Sequence, residues 1–373
     1  MSEFRIPPVS PLVGSTVGNF FRIIKQGKVA PRYYHKIVLS FLIVLVLTPL
    51  HWLDFLVLRR RIRKMQIATP PVFILGHWRS GTTLLHNLLC RDPQSAYMTT
   101  SFSILPNNLV TQRFFRAIIK FFMPPKRPSD NMPFNVDLPQ EEGFAFSNYQ
   151  SNEYYNFFYF PSLYREFYDR AVLHEKLSPA EQKKWFSAYD RLLKKILINS
   201  GGNRLIVKNP INTGRIDKLL KMFPEAKFIF ISRNPVTVFL STQLFFANLC
   251  PSLWFADTDM DSIDDMILDV YLKLMDDYSR LKGLIPEGNL TELRYEDFEK
   301  DAEGELKRIY TVLLNQDFEG VRSHFEPYLK ILSDYRKNRY TVSGSVINRV
   351  LNRWGRYMEL YGYSLPDDIE IVN

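Results

Sequence analysis

At 373 residues the chain is long enough for one large α/β domain or two smaller ones, and 46% hydrophobic with 14% aromatic residues marks it as globular, not disordered. Its net charge of +9 fits an anionic ligand, a membrane surface or nucleic acid, but no zinc-finger spacing or ribonucleoprotein-type motif supports the last, so nucleic acid is set aside. The two cysteines, Cys90 and Cys250, form no metal or redox pattern and fit a reducing compartment or a fold without disulfides.

Residues 1–68 read as an N-terminal hydrophobic and basic segment. Within it, "IVLSFLIVLVLTPLHWLDFLVL" (37–58) is apolar over a length that spans a bilayer. Arg32 and Lys36 precede it and "RRRIRK" (59–64) follows. Pro49, His51 and Asp54 argue against a clean span, no small-residue site marks a signal peptide, and basic residues on both sides give no orientation. Membrane-surface contact through 37–64 without crossing is expected. A true span and a helical hairpin folded onto the domain are the alternatives.

From residue 69 to 373 strands alternate with helices. "PVFIL" (71–75) predicts a buried strand followed by a helix from Thr82 to Arg91. A long insert at about 92–203 follows, with a proline-rich stretch (123–139) and then the ring-rich "EYYNFFYF" (153–160). "RLIVK" (204–208) predicts a second strand with a helix over Thr213–Met222, and "KFIFI" (227–231) a third, with Asn234 at an N-cap and Pro235 in the first helical turn. "LTELR" (290–294) predicts a fourth, with a helix through about Leu314. Strands separated by helices imply a three-layer α/β fold of the P-loop-like kind, a central mainly parallel sheet flanked by helices. Arg79, Lys208, Arg233 and Tyr295 each lie just after a strand, where such sheets bind ligands.

"GHWRSGTT" (76–83) has the outline of a phosphate-binding loop: Gly76 and Gly81 bracket four residues ahead of a helix. The triphosphatase version places Lys after the second glycine; here Thr82 stands there and the cation is Arg79. No apolar strand ending in Asp offers a magnesium-holding element, which counts against a nucleotide-dependent small-molecule kinase.

"WRSGTT" (78–83) resembles the 5′-phosphosulfate loop of sulfotransferases that use 3′-phosphoadenosine 5′-phosphosulfate (PAPS), apart from Trp78. In "FIFISRNPVTVFLS" (228–241), Arg233 and Ser241 stand eight residues apart and resemble the family's 3′-phosphate site. "LRYEDF" (293–298) resembles its strand-to-helix element, and "LIVKNP" (205–210) the Lys-x-Pro strand end of the broad, largely bacterial branch. The resemblance covers about residues 70–365. It implies PAPS as co-substrate, adenosine 3′,5′-bisphosphate as product and no metal. It implies 5′-phosphosulfate contacts from Arg79, Ser80, Gly81, Thr82 and Thr83, with Lys208 a second cation at the reacting centre, and 3′-phosphate contacts from Arg233 and Ser241. Two departures stand out. Leu84 replaces the aromatic residue that stacks on adenine, and "YRKNRYTVSG" (335–344) keeps Arg336 and Lys337 but not the glycine of the family's Arg-Lys-Gly element.

The acceptor hydroxyl needs a general base. "LPQEEGFAF" (138–146) resembles the Pro-Gln-Glu-Asp/Glu run of the bacterial branch, so Glu141 or Glu142 is the expected base, with His77 inside the loop as the alternative. The ring-rich insert reads either as the wall of an apolar acceptor pocket or as ordinary core. With the N-terminal segment it points to a hydrophobic acceptor, a sterol, steroid or other lipid alcohol, and to a cytoplasmic, peripherally membrane-associated enzyme. A membrane-associated nucleotide-binding protein without catalysis is the remaining alternative.

Overall fold

The computed structural model describes residues 9–123, 135–333, 340–366 and 368–372. In chain order the elements used below are α1 (Tyr34–Lys64), β1 (Val72–Leu75), α2 (Thr82–Leu89), β2 (Ser95–Ala96), α3 (Gln112–Phe122), α4 (Glu142–Ser147), α5 (Pro179–Ser200), β3 (Arg204–Lys208), β4 (Lys227–Ser232), α6 (Pro235–Leu253), α7 (Met260–Leu281), β5 (Leu290–Arg294) and α8 (Gly344–Leu360). The strands lie in the order β2-β3-β1-β4-β5, and β1, β4 and β5 run parallel, with Phe73 opposite Phe228 and Phe230 opposite Glu292. Residues of β1 are at most 1% exposed, as expected of a strand covered on both faces. In β5, buried Thr291 and Leu293 alternate with exposed Glu292 and Arg294, the pattern of a half-covered edge strand. Strand order reverses at β1, so the loop after β1 sits at a topological switch point. This is the α/β architecture expected from the sequence.

By its contacts the chain divides into two compact units: residues 1–69, 96–207 and 245–263, and residues 70–95, 208–244 and 264–373. In the first unit, α1 runs for 31 residues with Pro49 inside it. Its buried stripe, Lys36, Ser40, Val44, Leu47, His51, Asp54, Leu58 and Ile62, recurs every three or four residues. Half of that stripe is polar, and three of its four polar side chains have a partner. Lys36 Nζ donates to the Ser252 carbonyl, the Ser40 hydroxyl accepts from the Ser10 N–H at 2.8 Å, and Asp54 pairs with Lys195 of α5. Pro179 opens α5 beneath a capping box of Ser178 and Glu181, and Gly201 ends it in the left-handed region at φ 77°.

The ring-rich segment of this unit is core. Residues Tyr154–Phe158 form a 3₁₀ helix, and Tyr154, Tyr155 and Phe157 to Phe160 are at most 1% exposed. Phe157 packs tilted against Phe158 at 4.2 Å, and Tyr159 stacks against Phe255 at 5.0 Å. A single helix face does not bury so many rings, but a 3₁₀ turn enclosed on all sides does.

Several helices are shorter than sequence periodicity predicts. The one after β1 ends at Leu89, not Arg91, and the stretch after β3 begins as a 3₁₀ turn (Pro210–Gly214) before an α-helix over Ile216–Met222. The helix expected after β5 breaks at Asp301, whose carboxylate accepts from the Gly304 N–H at 2.8 Å and restarts it as Ala302–Arg308.

Candidate active site

The loop between β1 and α2 is built around three residues with positive φ: Gly76 at 136°, Arg79 at 67° and Gly81 at 94°. Each glycine is dictated by a close neighbour. A Cβ on Gly76 would lie 2.5 Å from the Ile231 carbonyl oxygen, and one on Gly81 would lie 2.2 Å from the Tyr295 ring. Thr213, which carries no recognisable motif, fastens the loop: its hydroxyl accepts from the Gly76 N–H at 2.8 Å and donates to the Gly76 carbonyl at 3.1 Å. The Ser80 hydroxyl donates to the His77 carbonyl at 2.7 Å.

Arg79 is the one non-glycine residue of the loop held left-handed. Its Nε donates to the Ser241 hydroxyl at 2.9 Å, and its carbonyl accepts from the Arg233 guanidinium at 3.0 Å. Arg233 also lies over the Tyr295 ring, 4.2 Å from the centroid. Lys208, the last residue of β3, donates to the Thr83 hydroxyl at 3.3 Å. Thus Arg79, Arg233 and Ser241 form one group, and Lys208 meets Thr83 at the start of α2. Thr82 opens α2 beside them with Gly81 as its N-cap, so the backbone N–H groups of Thr82 and Thr83 lack intrahelical partners.

A cavity of about 380 Å³ opens beside Arg233, lined by Arg294, Tyr295, Lys300 and Tyr363 among others. Residues 362–366 close it. The Asn234 side chain donates to the Ser364 carbonyl at 2.7 Å, and the Tyr363 hydroxyl donates to Glu296 at 2.9 Å. No sequence motif announced this closing segment. Arg336 and Lys337 lie outside the described residues.

His77 is buried, 2% exposed, with its ring against Trp78, Tyr271 of α7 and Trp354 of α8. Burial lowers its pKa to about 4, so the imidazole is neutral near pH 7. Glu141 and Glu142 belong to the first unit, at the start of α4. Glu142 is 1% exposed and accepts from the Tyr189 hydroxyl at 3.0 Å, whereas partly exposed Glu141 accepts from the Tyr155 hydroxyl.

The fold and this loop define a class: an α/β protein whose first strand turns through a glycine-bracketed, arginine-bearing loop into a helix N-terminus. Within that class the chain belongs to the sulfotransferase family, whose sequence model matches residues 70–317. Omega-hydroxy-beta-dihydromenaquinone-9 sulfotransferase Stf3 of Mycobacterium tuberculosis, like that of Mycobacterium bovis, is 31% identical to it over 356 residues, covering 94% of this chain and 90% of the relative. Two solved structures share the fold. Sulfotransferase STF9 from Mycobacterium avium has a TM-score of 0.67 at 13% identity, covering 94% of this chain and 98% of its own. STF1 from Mycobacterium tuberculosis has a TM-score of 0.65 at 14% identity, covering 95% and 94%. The chain is a sulfotransferase.

Proposed function

We propose that this sulfotransferase moves the sulfuryl group of PAPS to a hydroxyl of a hydrophobic lipid, releasing adenosine 3′,5′-bisphosphate. The observation that carries the reading is the group formed by Arg79, Ser241 and Arg233 around a loop whose glycines admit no side chain. A preformed ring of donors at a helix N-terminus suits a phosphate ester, and the missing Lys after Gly81 suits one without a β,γ-anhydride. PAPS supplies the activated sulfuryl group. The chain's own residues do the rest. Arg79, Lys208, Thr82, Thr83 and the loop amides of Ser80 and Gly81 face the charge that grows on the 5′-phosphate as its bond to sulfur breaks. Arg233 and Ser241 hold the 3′-phosphate, with the adjoining cationic cavity taking the rest of that end. As the acceptor oxygen bonds to sulfur, its proton passes to Glu141 or Glu142. His77, buried among rings, is left with the role of anchoring the turn.

For the acceptor, Stf3 is the guide, since its name gives a hydroxylated menaquinone as substrate. We therefore place a hydroxyl on a long apolar lipid ahead of a sterol, drawn from the surface of a membrane on which a cytoplasmic enzyme rests through residues 37–64. Calorimetric titration with adenosine 3′,5′-bisphosphate and with ATP tests the co-substrate, and tight binding of ATP alone would return the kinase reading. A labelled-PAPS screen across prenylquinols, sterols and phenols tests the acceptor; transfer confined to small phenols would reject a lipid.

A further inference from the structure

The α1 helix is apolar on its outer face and half polar on its inner one. Its inner stripe carries Lys36, Ser40, His51 and Asp54, while its outer face exposes Val38, Leu42, Val46, Trp52 and Leu56, with Val46 75% and Trp52 62% exposed. Helix α3 extends this surface. Its Phe115 and Ile119 pack with Leu47 of α1 in one cluster, and its other face leaves Phe114 65% and Phe121 83% exposed. Contiguous apolar exposure of this kind is uncommon on a free surface.

At the C-terminal end of α1 the apolar face meets a cavity of about 420 Å³, lined by Phe55, Arg59 and Arg63 of α1 and by Arg191, Lys194 and Lys195 of α5. Two of its cations are neutralised: Lys195 by Asp54, and Lys194 by Asp190 at 2.8 Å. Arg59, Arg63 and Arg191 form no ion pair among the described residues. Basic residues at a helix C-terminus complement its dipole, which accounts for the run from Arg59 to Lys64. It does not account for Arg191, which a second helix contributes to the same cavity.

We propose that this cavity receives the phosphate-bearing headgroup of an anionic phospholipid, whose acyl chains lie along the outer face of α1. The charge is complementary to a phosphodiester, and exposed Phe55 joins the basic pocket to the apolar face. The inference rests on the membrane-surface part of the reading above and is independent of sulfuryl transfer.

Flotation of the full chain with phosphatidylcholine vesicles, with and without phosphatidylglycerol, tests it. The pair Arg191→Gln/Lys194→Gln removes two of the three α5 cations from the pocket and leaves Lys195 paired with Asp54; the pair Arg60→Gln/Arg61→Gln removes equal charge from positions outside it. The first pair is expected to weaken binding to anionic vesicles by about tenfold or more, to a clearly greater extent than the second, and the difference should persist in high salt, where diffuse attraction is screened. Equal losses in both pairs, or no preference for anionic vesicles in the native chain, would overturn the proposal. Displacement from vesicles by millimolar glycerol 3-phosphate would overturn it too, by assigning the pocket to a soluble phosphate. Retained binding of adenosine 3′,5′-bisphosphate shows that the variants are folded. A native chain that floats with anionic vesicles but fails to bind the bisphosphate would leave this site standing and defeat the co-substrate reading instead.

Discussion

Arg79 donates from Nε to the hydroxyl of Ser241 at 2.9 Å, tying the loop after β1 to the first turns of α6. The bond has a structural reason: a non-glycine residue at φ 67° carries a strain of about 1–2 kcal/mol that its surroundings must offset. Ser241 therefore positions Arg79 before any ligand arrives, beyond the phosphate contact its motif implies. Ser241→Ala should leave the chain folded and weaken adenosine 3′,5′-bisphosphate binding by about tenfold, the scale of a hydrogen bond to a charged group. Affinity within twofold of native by titration calorimetry would show that neither contact matters.

Arg233 closes the same group by donating to the Arg79 carbonyl at 3.0 Å while stacking on Tyr295. A guanidinium makes both contacts at once and an ammonium does not. Arg233→Ala should reduce bisphosphate affinity by about a hundredfold, and Arg233→Lys should recover only part of it. An Arg233→Lys variant indistinguishable from native would reduce the residue to a point charge, and an unaffected Arg233→Ala would remove it from the site.

Gly81 tests the loop's shape. Alanine there meets a φ of 94° and a Tyr295 ring carbon 2.2 Å from the new Cβ. Gly81→Ala should destabilise the chain by at least about 2 kcal/mol and sharply lower bisphosphate affinity. Adding Tyr295→Ala should recover part of the stability, because it relieves the clash but not the backbone strain. A single variant with native urea midpoint and affinity would mean that the loop tolerates another path.

The strands and the loop were legible because their signals are local. "RLIVK" and "LTELR" match β3 and β5 end to end, and Asn234 with Pro235 marks the start of α6, the Asn234 side chain accepting from the Val236 N–H at 3.1 Å. Where long-range packing decided, the sequence was mute. Thr213 looks like any loop threonine until its hydroxyl is found on Gly76, and nothing in residues 362–366 foretells that they close the cavity beside Arg233. The α1 segment is apolar almost all round, so its composition does not say which stripe turns inward; Asp54 turns inward because Lys195 is there to meet it. Rings in "EYYNFFYF" read equally as pocket wall or core, and the sequence does not foretell that they are buried in and just after a 3₁₀ turn.

Acid should weaken the fold through two histidines. Burial lowers both His51 and His77 from the usual 6.5 to about 4. The unfolded chain takes up these protons near pH 6.5 and the folded chain only near pH 4. Their stabilising contribution is thus complete above pH 6.5 and is lost progressively as the pH falls toward 4. Between pH 7 and pH 5 the loss is on the order of 2 kcal/mol per ring. Urea midpoints of the native chain should fall over that window, and those of His51→Leu should fall less. Parallel pH profiles for the two would remove His51 as a source of the acid sensitivity.

The base is open to the sharpest separation. Both carboxylates are held by tyrosine hydroxyls, but Glu142 is 1% exposed while Glu141 is partly exposed. A group that takes the acceptor's proton must reach it, which favours Glu141. Glu141→Gln should lower kcat by about a hundredfold to ten-thousandfold, the range for losing a general base, while bisphosphate affinity stays within a few-fold. Glu142→Gln keeps the shape that accepts from Tyr189, so its main effect should be on thermal stability. His77→Phe should retain most of its turnover, since the neutral imidazole is enclosed by Trp78, Tyr271 and Trp354 and its Nδ1 is engaged with the Trp78 carbonyl at 2.9 Å. If Glu141→Gln turns over normally and Glu142→Gln does not, the buried carboxylate is the base; if both are normal and His77→Phe is dead, the proton goes to the loop itself.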